Sequence, residues 1–387
     1  MILPTTTSAE LPVPSDDALQ LSATLVAEIR REIDGAGGWL AFARYMELAL
    51  YAPGLGYYSA GSTKLGAAGD FVTAPELSRA FARAIALTLD EELAALKSRD
   101  VLELGAGSGV LAANLLDSFA KLGRDVRYRI LEPSAELRQR QQRALERFAD
   151  RVVWLDELPE TPFNGAIVAN EVLDALPIAR FEVELGEPRA FGVVARDEGL
   201  AWGPSREIPP VTAAVRAIET ALQRPLANGY RSELCLVLPA WLRALGASVA
   251  RGSLLFVDYG LVRSDYYHEQ RTDGTLVCHY RHRAHGDPFV YPGLQDITAW
   301  VDFSACAQAA AAAGFEVAGF TTQGQYLLSV LAALPPSFAV DLASPREQSA
   351  LKTLILPGEM GERFKVLLLR KNVNGPPLPG KDFRHRL

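Results

Sequence analysis

Three cysteines in 387 residues, Cys235, Cys278 and Cys306, are too few and too irregularly spaced for a disulfide framework, so a reducing compartment is expected. Positive charge is also in deficit. Lys and Arg number 39 against 46 Asp and Glu, a net charge of -7, which disfavours a sequence-independent grip on nucleic acid and suits a basic partner. No apolar run is long enough for a membrane span, because the alanine-rich stretch from Cys306 to Ala313 stops at Gly314. Residues 1–17 hold prolines, threonines and acids but neither a basic segment nor an apolar core. They are expected to form a disordered leader rather than a targeting signal, and the protein is expected to be cytoplasmic. No glycine pattern brackets a serine as in a nucleophile elbow, which argues against Ser-His-Asp hydrolysis.

What is present is organised around Val101-Leu102-Glu103-Leu104-Gly105-Ala106-Gly107-Ser108-Gly109-Val110-Leu111, an apolar strand, a glycine loop and the first turn of a helix. Gly105, Gly107 and Gly109 let the backbone turn sharply and approach a ligand, and the helix N-terminus favours a small anionic group. A dinucleotide fingerprint requires its third glycine at position 110, where Val110 stands. Glu103 would repel a pyrophosphate and attract an ammonium. Glu132, about 29 residues on at the end of a second apolar strand, can accept both hydroxyls of a ribose. Ammonium, carboxylate and ribose together describe S-adenosylmethionine. The plainer reading of Gly105 to Gly109 is a tight strand-to-helix turn with no ligand.

Strands near 101–104, 128–132, 152–155 and 165–169 alternate with helical segments at 109–121 and 134–148, the period of a parallel sheet with helices on both faces. After a long interruption the sheet resumes with residues 253–257 and finishes with 315–320 and 364–369. The interruption contains a predicted hairpin, Arg180 to Glu184 and Arg189 to Val194 across Gly186, and reads as an inserted cap. The predicted division is a leader at 1–17, a helical N-terminal extension at 18–98, core segments at 99–185 and 253–372, the cap at 186–252 and a tail at 373–387. One predicted helix starts at Ser15 or Asp16; another runs from Thr73 or Pro75 through Leu89.

Ligands in open parallel sheets bind at the carboxyl ends of the strands, so Asn170-Glu171-Val172-Leu173-Asp174 should face the same crevice as Gly105. Asn170 can orient an amine; Glu171 and Asp174 can take its proton. Asn170 or Asp174 can equally cap a following helix. Asp258, at the next strand end, is either a further acid of the site or a turn residue. Asp156, after the third strand, can meet an adenine amino group or remain a solvated turn acid. His279, His282 and His285 recur every third residue, yet Arg281 and Arg283 lie among them and would repel a metal ion, so no metal is expected. A polar loop over the crevice is the preferred reading.

The chain resembles the MidA-type family of S-adenosylmethionine-dependent methyltransferases, which includes the mitochondrial complex I assembly-factor arginine methyltransferase. The motifs that carry this are Tyr45-Met46-Glu47 through Gly56-Tyr57-Tyr58, Gly69-Asp70-Phe71-Val72-Thr73-Ala74-Pro75-Glu76, Glu103 through Gly109, Asn170 through Pro177, and Met360-Gly361-Glu362-Arg363-Phe364-Lys365-Val366. The resemblance implies a class I, Rossmann-like fold with a mostly parallel seven-stranded sheet. It implies that the loop of Gly69, Asp70, Phe71 and Thr73 covers the cofactor, and that the methyl acceptor is an arginine of a protein, with a respiratory complex I-type partner as the candidate. A small-molecule methyltransferase and a cofactor-binding assembly chaperone without turnover are the alternatives. Residues 188–250 carry no recognised motif, and the sequence does not specify the oligomeric state.

Overall fold

The computed structural model describes residues 11–59, 73–197, 199–339, 342 and 344–387. The described residues form two compact units. The first takes those of Met1–Phe71, Asp174–Leu238 and Val262–Asp302; the second takes those of Val72–Leu173, Pro239–Leu261 and Phe303–Leu387. Of the predicted cap of 186–252, residues 186–238 fall in the first unit and 239–252 in the second, and residues 262–302 of the predicted core join the first unit.

The second unit is built on seven strands, numbered in chain order: β1 Asp100–Leu104, β2 Arg127–Leu131, β3 Val152–Leu155, β4 Phe163–Asn170, β5 Val249–Leu261, β6 Glu316–Thr322 and β7 Phe364–Lys371. They lie in the order β6-β7-β5-β4-β1-β2-β3. Strands β1 to β5 pair in parallel, and β7 runs antiparallel to both β5 and β6. Parallel neighbours need crossovers, which the helices Val110–Lys121 and Ala135–Ala144 supply between β1, β2 and β3. Every residue of β1 is buried, as expected of a strand covered on both faces. Phe81, Ile85 and Leu89 of the helix Arg79–Leu96 share one apolar core with Leu111, Leu115 and Phe119 and with the strand residues Val101, Ile130, Val168, Leu255 and Val366. This is the class I methyltransferase sheet that the strand pattern and the resemblance implied. Strand order reverses between β1 and β4, so their carboxyl ends open a crevice at the position where Gly105 and Asn170 leave the sheet.

Several local expectations change. The helix predicted from Thr73 or Pro75 is broken: Ala74–Leu77 forms one turn, Ser78 is extended, and its hydroxyl accepts the Ala80 amide to start the long helix Arg79–Leu96. No helix follows β4. Residues 171–178 turn and lead into the strand Ala179–Glu184, so there is no helix there for Asn170 or Asp174 to cap. The predicted tail is packed down: Leu378 is buried, the Phe383 amide donates to the Phe320 carbonyl at 2.7 Å, and Arg370 joins buried Glu92 to the carbonyls of Gly375 and Pro376.

In the first unit the helix Asp16–Gly35, capped by Ser15, packs Leu25, Ile29 and Ile33 against Phe42, Tyr45 and Met46 of the helix Phe42–Tyr51. Three small antiparallel sheets complete it. Leu40–Ala41 pairs with Gly192–Arg196, which pairs with Gly199–Trp202; Ala179–Glu184 lies between Glu187–Ala190 and Arg231–Leu234; Val277–Tyr280 lies between Arg283–His285 and Asp296–Thr298. The hairpin across Gly186 exists, but its second strand ends at Ala190, and Val193 and Val194 belong to a different sheet. Leu11, placed in the predicted leader, is buried against Tyr280 and Leu294.

Candidate functional site

The cradle begins where β1 ends. Gly105, Gly107 and Gly109 all adopt positive φ, at 62°, 54° and 81°, a region that a Cβ disfavours. A methyl group at Gly105 would also lie 3.1 Å from Val172 Cγ2, and one at Gly109 would lie 3.3 Å from Gln141 Cα. The helix Val110–Lys121 starts from Gly109 without a side-chain cap, so its first-turn amides are directed to whatever the loop holds.

Glu103 is buried at 2% exposure, and the Tyr128 hydroxyl of β2 donates to it at 2.8 Å. Burial pushes its pKa up to about 8; the Tyr128 bond opposes that shift, and the charge of Glu132 adds to it. Glu132, just beyond β2, accepts the Ser134 amide on Oε1 at 3.0 Å and Gln141 Nε2 on Oε2 at 2.9 Å. Burial raises its pKa as well, against the lowering effect of those two donors and of Arg138.

Gln141, fully buried on the helix Ala135–Ala144, was not singled out in the sequence. Its Nε2 also donates to the Gly107 carbonyl at 3.1 Å, while its Oε1 accepts Trp154 Nε1 at 3.0 Å. An indole nitrogen only donates, so Trp154 fixes which way the amide points and directs its NH2 to both the glycine loop and Glu132. A glutamine among the many polar residues of an exposed-looking helix gives no sequence signal of this. Arg138 is the other unrecognised strut. It donates to the carbonyls of Glu132 and Leu155 and to Asp156 Oδ1 at 2.5 Å, so the Asp156 carboxylate, proposed for adenine, is exposed and carries an arginine partner.

At the end of β4, Asn170 Nδ2 donates to Glu171 Oε1 at 3.2 Å, and Asn170 Oδ1 is shielded from solvent with no donor among the described residues. Glu171 has φ 53°, a left-handed conformation that costs a non-glycine residue about 1–2 kcal/mol. What holds it there is Asp258. That residue, 1% exposed on β5, accepts the amides of Val172 and Leu173 on Oδ2 at 3.1 and 2.9 Å and that of Tyr259 on Oδ1 at 2.9 Å. Both its oxygens therefore accept backbone amides. Asp174 falls in the first unit, buried, its carbonyl accepting the Ala299 amide at 3.3 Å. Of the loop expected to cover the cofactor, Gly69, Asp70 and Phe71 lie outside the described residues, and Thr73 caps the short helix Ala74–Leu77.

The histidine run forms a β-hairpin of the first unit. Arg281 and His282, at φ 45° and 61°, form its two-residue turn, and the pairing of Cys278 with His285 and of His279 with Ala284 sets His279 and His285 on opposite faces. Among the described residues no three acidic, histidine or cysteine side chains are grouped to hold a metal.

The second unit therefore offers, along one row of strand ends, a left-handed glycine loop with an open helix N-terminus, a buried acid pair and an asparagine oxygen lacking a partner. That set fits an adenosyl amino acid. A family model of S-adenosyl-L-methionine-dependent methyltransferases matches residues 82–321. A Burkholderia thailandensis protein whose crystal structure holds S-adenosyl-homocysteine is 43% identical, with a TM-score of 0.89 over 97% of this chain and 100% of that one. The mitochondrial protein arginine methyltransferase NDUFAF7 homolog of Drosophila melanogaster is 27% identical across 93% of this chain and 88% of its own length. Protein arginine methyltransferase NDUFAF7 of Homo sapiens is 26% identical across 86% and 80%. No helix among the described residues is long and apolar enough to cross a membrane. The chain belongs to the S-adenosyl-L-methionine-dependent methyltransferase family of these relatives, with S-adenosyl-L-methionine as its cofactor.

Proposed function

We propose that this methyltransferase acts on a guanidinium nitrogen of a protein arginine. The observation that carries the reading is the turn after β4, where Glu171 is held in a left-handed backbone by Asp258 beside the partnerless oxygen of Asn170. The names of the relatives from Drosophila melanogaster and Homo sapiens support arginine as the acceptor.

The cofactor supplies a methyl group on a sulfonium sulfur, an electrophile that needs no metal. Gly105, Gly107, Gly109 and Glu132 hold the adenosyl and amino-acid parts, and Gln141 and Arg138 keep those holders in place. A guanidinium has a pKa above about 12 and arrives protonated, so a nitrogen lone pair becomes available only as a proton is shared. Glu171 accepts that proton. Asn170 Oδ1 accepts a second N–H and sets the angle of the attacking nitrogen, since alignment carries much of the rate in a displacement of this kind. Thr73 and the preceding Gly69, Asp70 and Phe71 are assigned to covering the cofactor, and the net negative charge of the chain, -7, suits a basic, arginine-containing segment as substrate.

The test is incubation of the purified protein with methyl-labelled cofactor and a bacterial lysate, followed by acid hydrolysis of the labelled material. Label in methylarginine is expected. Label confined to small molecules, or no transfer at all, contradicts the reading.

A further inference from the structure

Glu103 was the acid expected to meet an ammonium, but it lies under the loop, 2% exposed and bonded to Tyr128. A second carboxylate reaches the loop from the side. Glu76, on the single helical turn Ala74–Leu77, lies beside the Ser108 side chain of the glycine loop and the Thr73 amide, both of which favour its charged form. Its other capacity is unused: Oε2 is shielded from solvent and has no hydrogen-bond partner among the described residues. Burial raises its pKa, the state of an acid placed at a site without a facing cation.

The methionine end of the cofactor bears a carboxylate and an ammonium on one carbon. The first-turn amides of the helix Val110–Lys121, uncapped by any side chain, favour the carboxylate. The ammonium, two bonds away, brings three donors and needs acceptors beside the same loop. We propose that Glu76 binds the α-ammonium group of the cofactor through its idle oxygen, and that this contact selects ligands carrying the intact amino acid. The ammonium supplies the charge partner that Glu76 lacks, while Ser108 keeps the carboxylate against the loop. Glu76 is a binding residue in this arrangement and takes no part in proton transfer to or from the methyl acceptor.

The experiment is calorimetry with S-adenosylhomocysteine and with its desamino analogue, in which hydrogen replaces the amino group, on the wild type and on Glu76→Gln. The wild type is expected to prefer S-adenosylhomocysteine by about tenfold or more, the usual weight of a charge-assisted hydrogen bond, and Glu76→Gln is expected to lose most of that preference. Both proteins should bind the desamino analogue alike. No preference in the wild type overturns the proposal, as does the same preference in both proteins. An equal loss of both ligands overturns it too, since Glu76 would then only shape the loop. Should Glu76→Gln fail to fold, Glu76→Asp, which keeps the charge but withdraws it by one methylene, is expected to lower the preference; an unchanged preference in that variant overturns the proposal.

Discussion

The two sides of the crevice in the second unit are built in opposite ways. At β1 and β2 the carboxylates of Glu103 and Glu132 are held by side chains, Tyr128 and Gln141, and the backbone is freed by glycine to meet the ligand. At β4 and β5 a carboxylate, Asp258, holds the backbone, and the side chains of Asn170 and Glu171 are the ones we propose to meet the methyl acceptor. The first construction suits a ligand that is the same at every turnover, because fixed amides and fixed acids need no rearrangement. The second concentrates strain at one residue, Glu171, whose left-handed backbone persists because two adjacent amides are tied down. Residues with equal chemical potential as acids are thus separated by what their oxygens already do.

The comparison breaks most visibly at Asp258. Replacing it by Ala leaves the amides of Val172, Leu173 and Tyr259 without their acceptor, and is expected to cost about 3 kcal/mol or more of stability. Chemical denaturation measures that loss, and a variant as stable as the wild type would contradict this role of Asp258 in holding the turn. A smaller effect is expected on the other side. Gln141→Leu keeps the helix and the volume but removes the link between Glu132 and Gly107, so cofactor affinity should fall by about 1–3 kcal/mol while turnover at saturating cofactor holds. A changed turnover with unchanged KM for the cofactor would show that the cradle and the reacting turn are not separable.

A third effect is a pH dependence. Glu103 has its pKa raised from 4.5 to about 8 by burial, so the folded protein holds a proton there that the unfolded chain releases. Its contribution to stability is full below about pH 4.5, declines as pH rises and is lost above about pH 8. Glu103→Gln, which cannot titrate, should therefore lose less melting temperature than the wild type between about pH 5 and about pH 9 in the absence of cofactor. Parallel melting curves for the two proteins would place the charge of Glu103 elsewhere.

Much of the second unit was legible in the sequence because its strands are apolar runs, the central ones buried on both faces and the edge strand Val152–Leu155 leaving Val153 exposed. Apolar runs at 101–104, 152–155 and 364–369 can be little else, and the strands Asp100–Leu104, Val152–Leu155 and Phe364–Lys371 appear there. The glycine loop was legible because three alternating glycines have few other uses. Its supports were not. Gln141, Arg138 and Glu76 are polar residues on helices, and only the fold brings Gln141 to Gly107, Arg138 to Leu155 and Glu76 to Ser108. The reading of Asp258 was open between site and turn, and its partners, the amides of Val172 and Leu173, lie 86 and 85 residues away in sequence. The first unit was the least legible, since short strands such as Leu40–Ala41 and Gly192–Arg196 declare themselves only by pairing across more than a hundred residues.

The division of labour is tested most directly by measuring turnover and cofactor affinity together for Glu171→Gln. Glutamine keeps the size and most of the hydrogen bonding of Glu171 and removes the charge that takes the proton. The expected result is a rate lower by about 10²–10⁴, the range for loss of a general base, with the dissociation constant for S-adenosylhomocysteine unchanged. A Glu171→Gln protein that methylates at the wild-type rate, or one that loses cofactor affinity in step with rate, would contradict the account.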